Sequence, residues 1–200
     1  ARVTRDGTNV VWNLRRRKWS TIGDVKMNRA VRKTSLQAID SAGQVLESLD
    51  VLAVADLFPK TVVGPIVADT SWSANDRVFV MTDDVTVAAG VRLTVGPQTV
   101  VLIEPGRTLT VNGSLEISAE TGKPAYVMPR STGSDWHINL VGPNASMTVS
   151  NAHFFGGRIS ASGGASLSVE NSTIEYSQHV DGIVSSSGSS DVHLRRSILR

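Results

Sequence analysis

The chain has 200 residues, of which 40% are apolar and 19% charged, and its net charge is +2. That composition supports a buried core and excludes a chain disordered by composition. No run approaches the ~18 apolar residues of a membrane-spanning helix, and the lack of any cysteine excludes disulfides and thiolate metal sites.

The charge is uneven along the chain. Residues 1–33 hold ten Lys and Arg against Asp6 and Asp24, a balance of +8, which leaves −6 for the rest. Arg15, Arg16, Arg17 and Lys18 are the densest run. They are the candidate ligands for a polyanion, since a basic patch attracts anionic polymers. The competing and commoner reading of such a run is a solvated face.

Residues 1–70 differ in texture from the rest of the chain. Val3 to Trp12, with Asp6-Gly7 in the middle, predicts a β-hairpin. Leu36 to Leu49 predicts a second hairpin around Asp40 to Gln44. A helix over Ser35 to Leu49 is the rival, which Gly43 disfavours by about 1 kcal/mol. Pro59, Gly64 and Pro65 punctuate a connection.

From Trp72 onward the pattern repeats. Ala88 to Gly96 and Glu104 to Asn112 are similar at an offset of 16, each a turn followed by an apolar-polar-apolar strand. Such a segment cannot bury its own apolar side, so it is expected to stack on a copy of itself. A second repeat is longer. Met147 to Phe154 aligns with Leu167 to Ile174, 20 residues on, and with Val192 to Leu199, a further 25 on. Gly157 to Gly163 aligns with Gly182 to Gly188, again at 25. Two different strands sharing one offset predict coils of a parallel solenoid, with strands about 4.8 Å apart. Met147, Val149 and Phe154 point inward in that register, Thr148, Ser168 and His193 outward. Asn151 over Asn171 forms a ladder at a turn, which Arg196 interrupts. Glu170 lies below Arg195, which predicts a surface ion pair between them.

The entry segment, from Trp72 through Val78-Phe79-Val80, Val85-Thr86-Val87, Glu104-Pro105-Gly106 and Leu109-Thr110-Val111-Asn112-Gly113 to Trp136-His137-Ile138, resembles right-handed parallel β-helix repeat proteins of the pectate-lyase-like architecture, of the bacterial surface, secreted or tailspike type. The resemblance covers about residues 72–200. It implies an extracellular or cell-surface setting with polysaccharide nearby. It implies no single function, because this fold carries lyases, hydrolases, adhesins and tailspikes.

A catalytic constellation is harder to find. Glycoside hydrolysis needs an Asp/Glu pair about 5–10 Å apart. The acids from Asp83 to Asp191 fall at no equivalent positions in adjacent aligned coils. His153, His179 and His193 sit in the repeats, and His179 lies two residues before Asp181 in a loop, where polar surface is the commoner reading than acid–base work. Lyases of the resembled type carry an acidic cluster for Ca²⁺ beside a basic residue. Arg158 is a candidate outward base, but no acidic cluster goes with it. Thr94 and Thr110 are outward strand threonines of the ordinary kind.

The fold expected is all-β: a right-handed parallel β-helix over 71–200, incomplete at its C-terminal end, preceded by a small basic β-rich domain over 1–70. The function expected is a non-catalytic extracellular structural or carbohydrate-contacting module. The alternative is a polysaccharide-degrading lyase or glycoside hydrolase. No catalytic residue, metal site or cofactor is assigned. The partners expected are polysaccharide or cell-surface glycan rather than nucleic acid, and a further copy of the chain at the C-terminal coil, whose last strand leaves an apolar edge bare.

Overall fold

The computed structural model describes residues 2–5, 8–13, 18–21, 31–39, 44–54, 59–73, 78–130, 135–175 and 182–199, those before 59 as strand backbone apart from Gln44. Every regular element among them is a strand. The chain divides into two units, Ala1–Asp56 and Leu57–Arg200.

The first unit is a five-stranded antiparallel sheet of β1 (Arg2–Arg5), β2 (Thr8–Asn13), β3 (Lys18–Thr21), β4 (Val31–Ile39) and β5 (Val45–Val54), in the order β3-β2-β1-β4-β5. Arg5 pairs with Thr8, which is the first expected hairpin. Leu36 pairs with Leu49 and Ile39 with Val45, which is the second, and the helical alternative falls.

The second unit is a parallel β-solenoid of about five turns. Its strands are β6 (Lys60–Ile66), β7 (Thr70–Trp72), β8 (Phe79–Val87), β9 (Arg92–Val95), β10 (Val100–Ile103), β11 (Thr108–Val111), β12 (Ser114–Ser118), β13 (Ala125–Pro129), β14 (His137–Val141), β15 (Ser146–Ser150), β16 (Ala152–Phe155), β17 (Arg158–Ser162), β18 (Ser166–Glu170), β19 (Thr173–Glu175), β20 (Val184–Ser186), β21 (Asp191–Arg195) and β22 (Ile198–Leu199). They stack on three faces. Face A runs through the first halves of β6 and β8, then β10, β13, β16, β19 and β22. Face B runs through the second halves of β6 and β8, then β11, β14, β17 and β20. Face C is β7, β9, β12, β15, β18 and β21.

Strand alternation builds the core. Phe79, Val101, Val127, Phe154 and Ile174 form one inward column on face A. Val85, Leu109, Ile138 and Ile159 form one on face B, and Leu93, Leu115, Met147 and Leu167 one on face C. All are buried, and they meet in a single cluster. Side chains alternate across a strand, so the residues between them point outward. Trp72 stacks on Phe79 at 4.9 Å and closes the cluster near the first coil.

Two expectations about the coil need correction. The 16-residue similarity does not stack on itself. Leu93 pairs with Leu115 on face C, while Leu109 pairs with Val85 on face B. The repeat of a turn and a short strand is there, but successive copies lie on different faces of the coil. Thr94 and Thr110 are separated for the same reason. Second, the unit boundary lies at Asp56/Leu57 rather than at 70, because β6 and β7 already pair with β8 and β9. Pro65 and Gly64 suggested a linker, but this is an edge strand, where a proline lacking its N–H is tolerated, and Gly64 at φ 71 supplies the register shift. Phe79–Val87 is one strand that serves faces A and B in turn.

The 20- and 25-residue repeats are the true coil. Met147 pairs with Leu167 and that with Val192, and Ile159 pairs with Val184. At the corner from face C to face A, Asn151, Asn171 and Arg196 all adopt left-handed backbone, at φ 53, 48 and 48. Asparagine tolerates that region better than most residues. Asn151 Nδ2 donates to the Ala119 carbonyl at 2.8 Å, which ties one coil to the next. Arg196 keeps the corner conformation, and its Nε donates to Asn171 Oδ1 at 3.0 Å. The ion pair of Glu170 is with Arg196, not with Arg195 as the alignment suggested, since the turn swings residue 196 back over the coil below.

Candidate functional site

Face B carries one candidate group of outward polar side chains. The register sets His137 opposite Arg158 and Asn139 opposite Ser160. Ile138 and Leu140 enter the core, so His137 and Asn139 are turned outward by alternation. Trp136 faces inward at the strand entrance. Its ring lies over Gly157, and its Nε1 donates to the Phe155 carbonyl at 3.0 Å. A buried ring held at both ends fixes the backbone on which Asp135 and His137 stand.

The polar side chains are linked across three coils. The Ser160 hydroxyl donates to Asn139 Oδ1 at 2.7 Å. Arg158 Nη2 donates to Ser185 Oγ at 2.9 Å. His137 Nε2 lies 3.6 Å from Asp135 Oδ2. That distance is too long for a hydrogen bond, so the carboxylate acts on the imidazole as a nearby charge. Both side chains are well exposed, which leaves the pair screened by water. Chemically the group offers a guanidinium and an amide for hydroxyls or carboxylates. Its imidazole is a proton carrier by type. The sequence reading missed His137, although the signal was present: the alternation that sends Ile138 inward sends its neighbour out.

The other sequence candidates are dispersed. Arg15, Arg16 and Arg17 lie outside the described residues, as do His179 and Asp181. Lys18 opens β3, where its backbone pairs with Asn13. His153 is on face A, its ring stacked on Tyr126 at 5.7 Å and on Phe155 at 6.3 Å. His193 is exposed on face C, above Ser168 and Thr148 as the alignment predicted.

Several of the acids are held by cations or backbone. Asp83 pairs with Arg107 at 3.2 Å, Glu104 with Arg130 at 2.7 Å, and Glu120 with Lys123 at 2.7 Å. Asp84 Oδ1 accepts the Thr108 N–H at 2.9 Å. Arg158 is on the outward side of its strand, and its register neighbours are His137 and the strand beginning at Val184. Among the described residues no three His, Asp or Glu converge in a way that could hold a metal ion. Among the described residues no helix is long and apolar enough to cross a membrane.

The fold thus defines a parallel β-solenoid, and its face B bears Arg158 among outward polar side chains. No protein-family model, no curated protein and no solved structure matches the chain.

Proposed function

We propose that this chain is a structural surface module that contacts polysaccharide through face B. The observation that carries the reading is the set of polar side chains His137, Asn139, Arg158, Ser160 and Ser185 on neighbouring coils of face B, with Ser160 bonded to Asn139 and Arg158 to Ser185. A rigid sheet holds these groups at a strand spacing of about 4.8 Å without cost in ordering them, which favours a repeating polymer over a compact ligand. Such a role belongs with an extracellular or cell-surface setting, a bacterial or viral source and a pectate-lyase-like type of coil. The winding sense we propose is right-handed, as parallel crossovers almost always are. Association with a second copy of the chain is part of the same proposal.

Affinity electrophoresis in gels containing neutral or acidic polysaccharides tests the reading. Retardation is expected with at least one polymer, and Arg158→Ala together with Asn139→Ala is expected to abolish it while leaving the melting temperature within a few degrees. Unchanged retardation of the double variant would remove face B from the function.

The nearness of His137 to Asp135 favours one second reading, a polysaccharide-degrading enzyme that uses the imidazole for proton transfer. Release of reducing ends or unsaturated products from acidic polysaccharides, lost in His137→Ala, would establish it over the non-catalytic reading.

A further inference from the structure

We propose that the glycan path on face B continues onto face A, where the rings of Tyr126, His153 and Phe155 form a stacking platform for sugars with equatorial substituents. The inference rests on the polysaccharide reading above and adds to it a second surface and a ring chemistry. Tyr126 stands on β13, His153 and Phe155 on β16, and Tyr126 is the register neighbour of His153. Val127 and Phe154 beside them enter the core, so the three rings are on the outward side of the sheet. Each is half-buried and keeps part of its surface open. Tyr126 and His153 lie 5.7 Å apart with 22° between planes, His153 and Phe155 6.3 Å apart with 14°. The three rings thus share one orientation across two coils.

The outward columns change character at this point. One and two coils below, they hold Val80, Val100 and Leu102, which are buried. At Tyr126 covered aliphatic side chains give way to open aromatic ones. The platform is firmly mounted. Strand β16 pairs with β13 on one side and β19 on the other. Trp136 Nε1 donates to the Phe155 carbonyl at 3.0 Å, and the Gly156 N–H donates to the Glu175 carbonyl at 2.7 Å. Rings held in this way cost a ligand little ordering. An aromatic ring is negative over its face and positive at its edge. A pyranose with equatorial substituents turns weakly positive C–H bonds toward such a face. Axial oxygens set lone pairs against it instead.

The corner between the faces supplies continuity. Phe155 closes β16 and Arg158 opens β17, and between them stand only Gly156 and Gly157, at φ 65 and 72. In that coil no side chain separates the platform from the guanidinium. Three residues of chain span at most about 10 Å, a distance that a few linked sugars cover. One glycan lying across the corner stacks on His153 and Phe155 and offers its oxygens to Arg158 and Asn139. A hydrocarbon chain has nothing to offer the second half of that path.

Affinity electrophoresis in carboxymethyl cellulose and in polygalacturonate separates stacking from charge. Both polymers carry carboxylates, but only the first has equatorial rings throughout. The unaltered chain is expected to be retarded more strongly in carboxymethyl cellulose. Phe155→Leu and Tyr126→Leu keep apolar bulk and remove a π face. Each is expected to raise the dissociation constant, read from mobility against polymer concentration, on the order of tenfold. Phe155→Tyr is expected to bind like the unaltered chain. In the unaltered chain, cellohexaose is expected to shift the proton resonances of the His153 ring. Equal or stronger retardation in polygalacturonate overturns the ring chemistry. Unmoved His153 resonances, or leucine variants that bind normally while Arg158→Ala with Asn139→Ala does not bind, overturn the platform and leave face B standing. No retardation in either polymer overturns the inference, and none in any neutral or acidic gel overturns the reading beneath it.

Discussion

A Cβ at Gly157 would lie 2.3 Å from the ring of Trp136, and its φ of 72 is one that other residues rarely adopt. Glycine is therefore required twice at this position, by space and by backbone. Gly157→Ala is expected to lower stability by about 2–4 kcal/mol, combining overpacking with a strained backbone. Gly164, also at positive φ, would bring its Cβ no nearer than 3.4 Å to Pro143, an ordinary contact. Gly164→Ala isolates the backbone part and is expected to cost about 1 kcal/mol. Urea midpoints of the two variants measure the difference, and equal midpoints would show that the Trp136 ring yields freely. The corner residues allow a similar comparison. Asn151→Ala removes the bond to Ala119 and places alanine in left-handed backbone, at an expected cost of about 1–2 kcal/mol. Arg196→Asn gives up an exposed ion pair for a residue suited to the conformation, and its urea midpoint is expected to be unchanged or raised.

At the scale of the strand, in-and-out alternation is the quantity to test. Val169 is fully buried on β18 between Val149 and Leu194, whereas Glu170 beside it carries an exposed pair with Arg196. Val169→Asp places a charge in the core without a partner and is expected to cost several kcal/mol or to prevent folding. Glu170→Ala loses at most about 1 kcal/mol. Chemical denaturation of both variants decides the matter, and comparable losses would mean that the strand is turned over. The same alternation gives the candidate site its precision. His137 and Asn139 stand on one strand, Arg158 and Ser160 on the next, and neither pair can turn inward without expelling Ile138 or Ile159 from the core.

For the whole molecule, the charge asymmetry gives a prediction independent of face B. Residues 1–33 carry +8 and the remainder −6. If Arg15, Arg16, Arg17 and Lys18 engage a polyanion, replacing all four by alanine is expected to move elution from a heparin column to clearly lower salt. Retention of the unaltered chain should fall steeply with ionic strength, as each neutralised anion releases a counterion. Identical elution of the two chains would assign the run to a solvated face.

The class of fold and much of its register were legible in the residue pattern. Apolar alternation and the shared 25-residue offset placed Met147 over Leu167 and Ile159 below Val184, because a parallel coil must put like positions one above another to bury them. Both hairpins of the first unit were legible too, since strand pairing there is local and the turns announce themselves. Which face each strand occupies was settled only by the folded chain. Leu93 and Leu109 look alike in sequence because every face demands the same apolar-polar-apolar strand, and only the winding of the chain separates them. The first coil was illegible for a related reason: an edge strand tolerates Gly64 and Pro65, so it lacks the pattern that marks the coils above it. The candidate site was hidden most completely. The 25-residue offset sets Ser185 over Ser160, but Arg158 comes opposite His137 through an offset of 21 that no repeat announces, because the turns between those strands follow no fixed length and only the winding of the chain sets them side by side.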